Sequence, residues 1–339
     1  MNSVNKCAYL DSQHNFAIVE RQIPRPGDNE VVVRIMANGI CGSDIHFYHE
    51  GRLGNFVVTD PYIPGHEASG IITDVGKDVK GISVNDRVVI EPGIACGKCR
   101  YCKTGRYNLC SDVIFLSAPP VNGTFCDYIA VCSDWVHKIP ESLSFEQAAL
   151  IEPVAVAVHA VNRARFKSGV TAVVVGAGPI GLLALQAFKA SGGARAICVD
   201  LMDSRLNIAK KLGADEVINL SNNNDLNNIA DVVFETAGSA KATEILFRLA
   251  RTGGSVVQVG WPGGNIVCMN IADFLDKELD YIAVNRYTNA FPTAISWVAQ
   301  KRINVEELIT GRYCFDQISE AFEYTMKHPR EVIKTIVLN

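Results

Sequence analysis

The chain has no apolar stretch long enough to span a bilayer. The longest candidate windows in its 339 residues, 148–161 and 172–188, are interrupted by Glu152 and Pro153 and by a glycine-rich turn. Its start, MNSVNKCAYLDSQHNFAIVE, lacks the basic head, unbroken apolar core and small-residue cleavage site of an export signal, so the expectation is a cytosolic protein. It also lacks an excess of either charge. With 32 Lys and Arg against 36 Asp and Glu, interspersed, the net charge of −4 gives no electrostatic case for a nucleic acid or a membrane surface as partner. No repeat or low-complexity segment is present, and residues 221–228 form only a polar connection. What remains is a 48% hydrophobic chain with room for two globular domains. Its eleven cysteines, without an export signal, point to metal ligation or core thiols rather than a disulfide framework.

The most informative stretch is TAVVVGAGPIGLLALQAFKASGGARAICVD, residues 171–200. Five small or β-branched residues without helical period predict a strand buried on both faces of a parallel sheet. Gly176, Gly178 and Gly181 then fit G-x-G-x-x-G. The first permits a tight turn, the second lets a pyrophosphate approach the backbone, and the third lets helix pack on strand. Pro179 suits a first helical turn, and the helix over 182–189 turns its free amides and positive dipole end toward a diphosphate. A second strand, 195–199, ends at Asp200, whose carboxylate is placed to accept hydrogen bonds from a ribose and to repel a 2′-phosphate, favouring NAD over NADP. A glycine-rich turn alone would be weak evidence. Strand, helix, second strand and terminal acid together predict a dinucleotide-binding unit.

Read in order, residues 6–140 are mostly β, with strand candidates at 31–35, 71–75 and 88–90 and few helices. Residues 142–165 turn alanine-rich and helical, and the domain junction is expected there. After the βαβ unit, strands are predicted at 216–218, 231–235, 256–259 and 281–284 with helices between, making six strands of a doubly wound parallel α/β sheet whose ligand crevice lies beyond the strand C-termini. The tail carries helices near 292–301 and 317–327 and a strand at 332–338 and is expected to rejoin the first domain. The predicted division is 1–150 with 286–339, and 151–285.

Two clusters carry metal-ligand residue types. Cys96, Cys99, Cys102 and Cys110 form C-x2-C-x2-C-x7-C, a spacing that closes a tetrahedron around a structural Zn2+ and pins a lobe over about 92–112. Iron–sulfur clusters also accept four cysteines, but this spacing departs from the common ferredoxin runs, and four core thiols sit poorly among Lys98, Arg100, Lys103 and Arg106. The second cluster is CGSDIH with GHE, supplying Cys41, His66 and Glu67, with Glu152 as a further carboxylate at the junction. Thiolate, imidazole and carboxylate are the ligand types of an open zinc site. Such a site leaves one position for a water or substrate oxygen and lowers the pKa of a bound hydroxyl. On spacing alone these residues are weak evidence.

CGSDIH, PGHEASG, the four-cysteine lobe, LIEPVAVAVHA, VVVGAGPIG and NRYTNAFPTAIS together resemble the zinc-containing medium-chain dehydrogenase/reductases, most of all their sorbitol (polyol) dehydrogenase branch, over nearly the whole chain. The resemblance implies a Rossmann domain beside a GroES-like catalytic domain, two Zn2+ per chain, NAD, and a homo-oligomer, dimer or tetramer. It implies Cys41, His66 and Glu67 as catalytic zinc ligands, with Glu152 reaching the metal through water or as an alternate ligand. Ser43 and His46 are implied as the proton relay, and Asp44 as the residue orienting His66. Implied nucleotide contacts are Ile180, Asp200, Arg205, Val259, Gly260, Val284 and Arg286, alongside the motif glycines. Arg286, Tyr287 and Phe47 match substrate positions, Phe47 standing where that branch usually has tyrosine. The chemistry implied is oxidation of a secondary hydroxyl of a polyol to the ketone. A sugar acid, or a threonine- or butanediol-type substrate, is the alternative, and a non-catalytic NAD-binding scaffold is the rival of another class. His14, His49, His137, His159 and His328, and Cys7, Cys126, Cys132, Cys198, Cys268 and Cys314, read as structural.

Overall fold

The computed structural model describes residues 4–222, 225–262 and 266–339. The chain divides into two compact units. One runs to Glu152 and takes back Leu308–Asn339, and the other is Pro153–Glu307.

The first unit is built on a sheet of seven strands. Its path runs Val136–Lys138, Arg87–Ile90, Glu67–Val75, Glu30–Gly39, Lys334–Leu338, Ile309–Cys314, with Tyr128–Cys132 also paired to Glu30–Gly39. Glu30–Gly39 lies at the centre because its valines and isoleucine bury almost continuously, Val31, Val33 and Ile35 packing with Ala68, Ile72, Val88 and Ile90. Its antiparallel register with Glu67–Val75 sets Gly39 opposite Glu67. The C-terminal strand enters the same sheet beside it. One helix in this β-rich region escapes the sequence reading. Gly42–Glu50 starts at Cys41 and stops at Gly51, which adopts φ 66.

The second unit carries a six-stranded parallel sheet in the order Glu216–Asn219, Arg195–Asp200, Thr171–Val175, Ala230–Glu235, Ala250–Gln258, Asp280–Ala283. In chain order this is 3-2-1-4-5-6, with the switch point between Thr171–Val175 and Ala230–Glu235. Val173, Val175, Ile197, Val199, Val233 and Val256 fill its core. Residues 286–307, expected with the first domain, belong instead to this unit. The helix Phe291–Ala299 buries Phe291, Ala294 and Val298. Gln186 binds the segment after it from both sides, Nε2 donating to Asn304 O (3.1 Å) and Oε1 accepting Asn304 N–H (2.7 Å), while Arg302 donates to Ala190 O.

Among the described residues no helix is long and apolar enough to cross a membrane. Two cysteines expected in the core are exposed. Cys314 ends a strand whose side chains alternate outward, and Cys268 lies in the irregular segment before the helix Ile271–Asp276.

Candidate metal centre and nucleotide site

The helix Gly42–Glu50 positions the first donor. Cys41 precedes it in an extended conformation, and its N–H is accepted by Asp44 Oδ2 at 3.0 Å, so the third helical residue ties the cap residue in place. Asp44 is fully buried. Its Oδ1 accepts from Ser117 Oγ (2.8 Å) and Gly65 N–H (3.3 Å) and stands 3.6 Å from His66 Nδ1, near enough to act by charge and longer than a hydrogen bond. Gly65 has φ 94, and a Cβ there would lie 2.6 Å from the Phe125 ring, so only glycine fits before His66. With these supports, ligand atoms of Cys41, His66 and Glu67 all come within 4.8 Å of one another.

Glu67 is 1% exposed, and Lys334 grips both of its oxygens at 2.7 and 2.8 Å while donating also to Ile40 O at 3.0 Å. Gly39 makes room for the carboxylate, since a Cβ on it would lie 2.1 Å from Glu67 Oε2. The field favours a cation. Burial alone would drive a proton off His66, yet the charges of Asp44 and Cys41 raise its pKa well above the ordinary histidine value. Burial likewise opposes the charge on Lys334, but Glu67, Cys41 and Glu152 raise its pKa. Burial pushes Asp44 up, and His66 with the Cys41 and Ser117 hydrogen bonds brings it net below the usual carboxylate value. A thiol, an imidazole and a carboxylate converging in such a field fit Zn2+. Glu152, in the first turn of Ile151–Ala164, is 4% exposed and stands outside the set of three donors.

Ser43 and His46 lie three residues apart on the cap helix, and His46 Nδ1 meets Glu50 Oε1 at 3.0 Å. Phe47 is the helix position expected to face substrate. It is 4% exposed within a cluster of Leu10, Val58 and Tyr62, its ring edge-on to Tyr62. One residue further round the helix than His46, it points into the core.

In the lobe, the sulfurs of Cys96, Cys99, Cys102 and Cys110 gather within the same 4.8 Å limit, Cys99 and Cys102 at 3.4 Å. N–H groups of Lys98 and Cys99 lower the Cys96 thiol to about 7, which prepares a ligand thiolate. Buried Glu91 ties the lobe to the sheet, accepting from Tyr107 at 2.7 Å and pairing with His137 Nε2 at 2.8 Å.

At the nucleotide end, Gly176 has φ 98 and Gly181 presses on it so closely that a Cβ would lie 1.8 Å from Gly176 O. Gly178 is open. Only Arg205 Nη1, at 3.7 Å, would approach a Cβ there, as a site for close backbone approach requires. Ile180 follows in the first turn of Pro179–Ala190. Asp200 accepts N–H bonds from Ala177 (2.7 Å) and Met202 (2.9 Å), one on each oxygen, leaving each oxygen a free lone pair. Val259 and Gly260 both donate to Glu235 O, and Val284 N–H donates to Gln258 O. Arg286 adopts φ 55. Tyr287, expected to reach substrate, is 2% exposed and packs edge-on against Phe291 in the second unit.

Comparison with known proteins agrees in both halves. Residues 27–141 match the alcohol dehydrogenase GroES-like domain, and residues 179–300 match zinc-binding dehydrogenase. Sorbitol dehydrogenase of Bacillus subtilis is 41% identical over 98% of this chain and 96% of its own length, and D-xylulose reductase of Saccharomyces cerevisiae 39% over 97% and 96%. The chain belongs to the zinc-containing medium-chain dehydrogenases. Among solved structures, L-idonate 5-dehydrogenase of Escherichia coli superposes with a TM-score of 0.94 at 31% identity, covering 99% of this chain and 98% of that one.

Within this dehydrogenase four supports went unread in the sequence. Lys334 stands 267 residues from Glu67, and no local pattern marks it. Ser117 is similarly remote from Asp44. Glu50 carried a signal, four residues after His46 on one helix face. A fourth, Glu235, is fully buried at its strand end. It accepts from Ala237 N–H, Gly238 N–H and Gln258 Nε2, and so joins the turn after its own strand to the Val259–Gly260 turn, where two of the nucleotide contacts are expected.

Proposed function

We propose that this zinc- and NAD-linked dehydrogenase oxidises a secondary hydroxyl of a polyol, sorbitol or xylitol in type, to the ketone, and catalyses the reverse reduction. The observation carrying this reading is the convergence of half-buried Cys41 with buried His66 and Glu67, in a chain resembling sorbitol dehydrogenase over 98% of its length. Bound by these three residues, zinc supplies a Lewis acid for the substrate hydroxyl, and the nicotinamide of NAD supplies the hydride acceptor.

The chain's own residues prepare both partners. Asp44 holds the Cys41 amide and biases His66 by charge, while Lys334 fixes the Glu67 carboxylate. Ser43 takes the hydroxyl proton and passes it to His46, whose side chain is 42% exposed and can release it to solvent with Glu50 steadying the ring. Glu152, outside the three donors, would reach the metal through water or as an alternate ligand. On the nucleotide, Gly176, Gly178 and Gly181 admit the pyrophosphate against the helix N-terminus, and Asp200 accepts the ribose hydroxyls and repels a 2′-phosphate. Arg205 lies over Gly178, and the Val259–Gly260 turn, Val284 and Arg286 complete the contacts. The four-cysteine lobe holds a second, structural zinc.

We further read the protein as a cytosolic homo-oligomer. None of the eleven cysteines is joined in a disulfide. The edge strand Asp280–Ala283 presents Tyr281, 42% exposed, and the helix Ile271–Asp276 exposes Ile271 and Leu275.

The test is NAD reduction across sorbitol, xylitol, aldonates, threonine and 2,3-butanediol, with metal analysis of the same preparation. Polyols should be turned over fastest, with two zinc ions per chain. Preference for an aldonate would move the assignment to sugar acids, the substrate type of the L-idonate enzyme. One zinc per chain with no turnover would make the protein a nucleotide-binding scaffold.

A further inference from the structure

Away from both zinc clusters the first unit holds a second pair of facing cysteines. The strand Asn5–Leu10 lies against residues 124–128 in antiparallel fashion, and Cys7 is directly opposite Cys126. The flanking hydrogen bonds fix the kind of pairing. Ala8 N–H donates to Phe125 O at 3.0 Å and Asp127 N–H to Lys6 O at 2.9 Å, so Cys7 and Cys126 occupy a non-hydrogen-bonded pair. In such a pair the Cα atoms approach to roughly 4.5 Å with both side chains on one face, which falls within the span a disulfide bridges.

The register is locked on either side. Asn5 Nδ2 donates to Tyr128 O and Asn5 Oδ1 accepts Tyr128 N–H, both at 2.9 Å, while Lys6 N–H donates to Asp127 Oδ2 at 2.9 Å. Both residues are free thiols, 3% and 2% exposed, in one apolar cluster with Ala8, Ile40, Ile63 and Phe125. Each thiol also donates locally, Cys7 to Asn5 O at 3.7 Å and Cys126 to Tyr128 O at 3.3 Å.

We propose that Cys7 and Cys126 are a redox-modifiable pair that closes to a disulfide in exchange with a low-molecular-weight disulfide such as oxidised glutathione, fastening the amino-terminal strand to the segment that braces the His66 loop. That segment carries Thr124, whose N–H donates to Gly65 O at 2.8 Å, and Phe125, whose N–H donates to Pro64 O at 3.0 Å. The bond is therefore made directly behind the residue that precedes His66.

The step balances. When the strand lifts, the Cys7 thiolate attacks one sulfur of the small disulfide and expels a thiolate, and on redocking Cys126 attacks the Cys7 sulfur of the mixed disulfide and expels the second. Two protein thiols and one small disulfide become one protein disulfide and two small thiols, which carry away the two electrons and both protons. Cys7 is the natural attacker, because it lies on the strand that lifts, while Cys126 stays in the segment held to Pro64 and Gly65.

The experiment incubates zinc-loaded enzyme in glutathione buffers from mostly reduced to mostly oxidised, then alkylates, digests and maps the peptides by mass spectrometry, with released zinc followed by a colorimetric chelator. The expected result is a peptide pair joined through Cys7 and Cys126, two hydrogens lighter than the separate peptides, formed before zinc release and reversed by dithiothreitol. The linked enzyme should melt several degrees higher, and neither Cys7→Ser nor Cys126→Ser should give the linked peptide or that shift. Recovery of both cysteines as alkylated thiols or glutathione adducts at every ratio would overturn the proposal. So would oxidation confined to the four-cysteine lobe, or a thiol-labelling time course in which Cys7 and Cys126 never reach solvent.

Discussion

The two sets of metal donors in the first unit are assembled on opposite plans. Cys96, Cys99, Cys102 and Cys110 come from one short stretch of chain, and the cluster is arranged by turns, with Gly97 at φ 70. Cys41, His66 and Glu67 come from a helix cap and the start of a strand, brought together by sheet register and held by buried Asp44 and Lys334. The first plan draws its order from local turns, with Glu91 tying the lobe to the sheet. The second spends buried charge beforehand, so that the donors are aimed whether or not an ion is present, as a reactive centre needs.

The sharpest way to break this contrast is Cys41→Ser. Turnover should fall about 10^4-fold, since the lost ligand removes the Lewis acid. NAD binding by fluorescence titration should be unchanged and one zinc per chain retained; loss of both zincs would mean that the clusters are not independent. Lys334→Met comes next. It leaves the Glu67 carboxylate buried without its counter-charge, and chemical denaturation should register a loss of about 3–5 kcal/mol. A variant as stable as the parent would show that the pre-aimed plan is wrong. Asp44→Asn keeps the shape and deletes the charge 3.6 Å from His66, so zinc affinity in competition with a chelator should weaken about 10–100-fold with little change in the four-cysteine site.

The last effect lies outside both clusters. Burial, aided by Arg163, depresses His159 from 6.5 to about 4. A histidine with a lowered native pKa binds more protons when unfolded. Stability should therefore drain as pH falls from 6.5 toward about 4, by about 3 kcal/mol in total. His159→Gln should flatten that slope in denaturation curves without altering zinc content, separating acid unfolding from acid loss of metal.

Legibility follows the same division. The βαβ unit and the four-cysteine lobe could be read because each is complete within one stretch of sequence. Six parallel strands and the strand-end Asp200 stand where apolar runs and turn residues placed them. The helix Gly42–Glu50 was missed because GSDIHFYHE has little apolar periodicity. Its start rests on Asp44 folding back to Cys41, and its end on Gly51. Phe47 and Tyr287 were assigned to substrate by resemblance, while their packing against Tyr62 and Phe291 depends on neighbours that no local window contains. For the same reason residues 286–307 were given to the wrong unit. The grip of Gln186 on Asn304 spans 118 positions.

Gly39 faces Glu67 with no space for even one methyl group between them. Its substitution acts directly on one metal donor, since the added carbon meets Glu67 Oε2. A single added carbon would evict the carboxylate from the grasp of Lys334, while the valines and isoleucine that hold the strand in the sheet stay as they were. Position 39 is thus where metal binding and stability should fall together, because the displaced carboxylate loses the same partner that Lys334→Met removes.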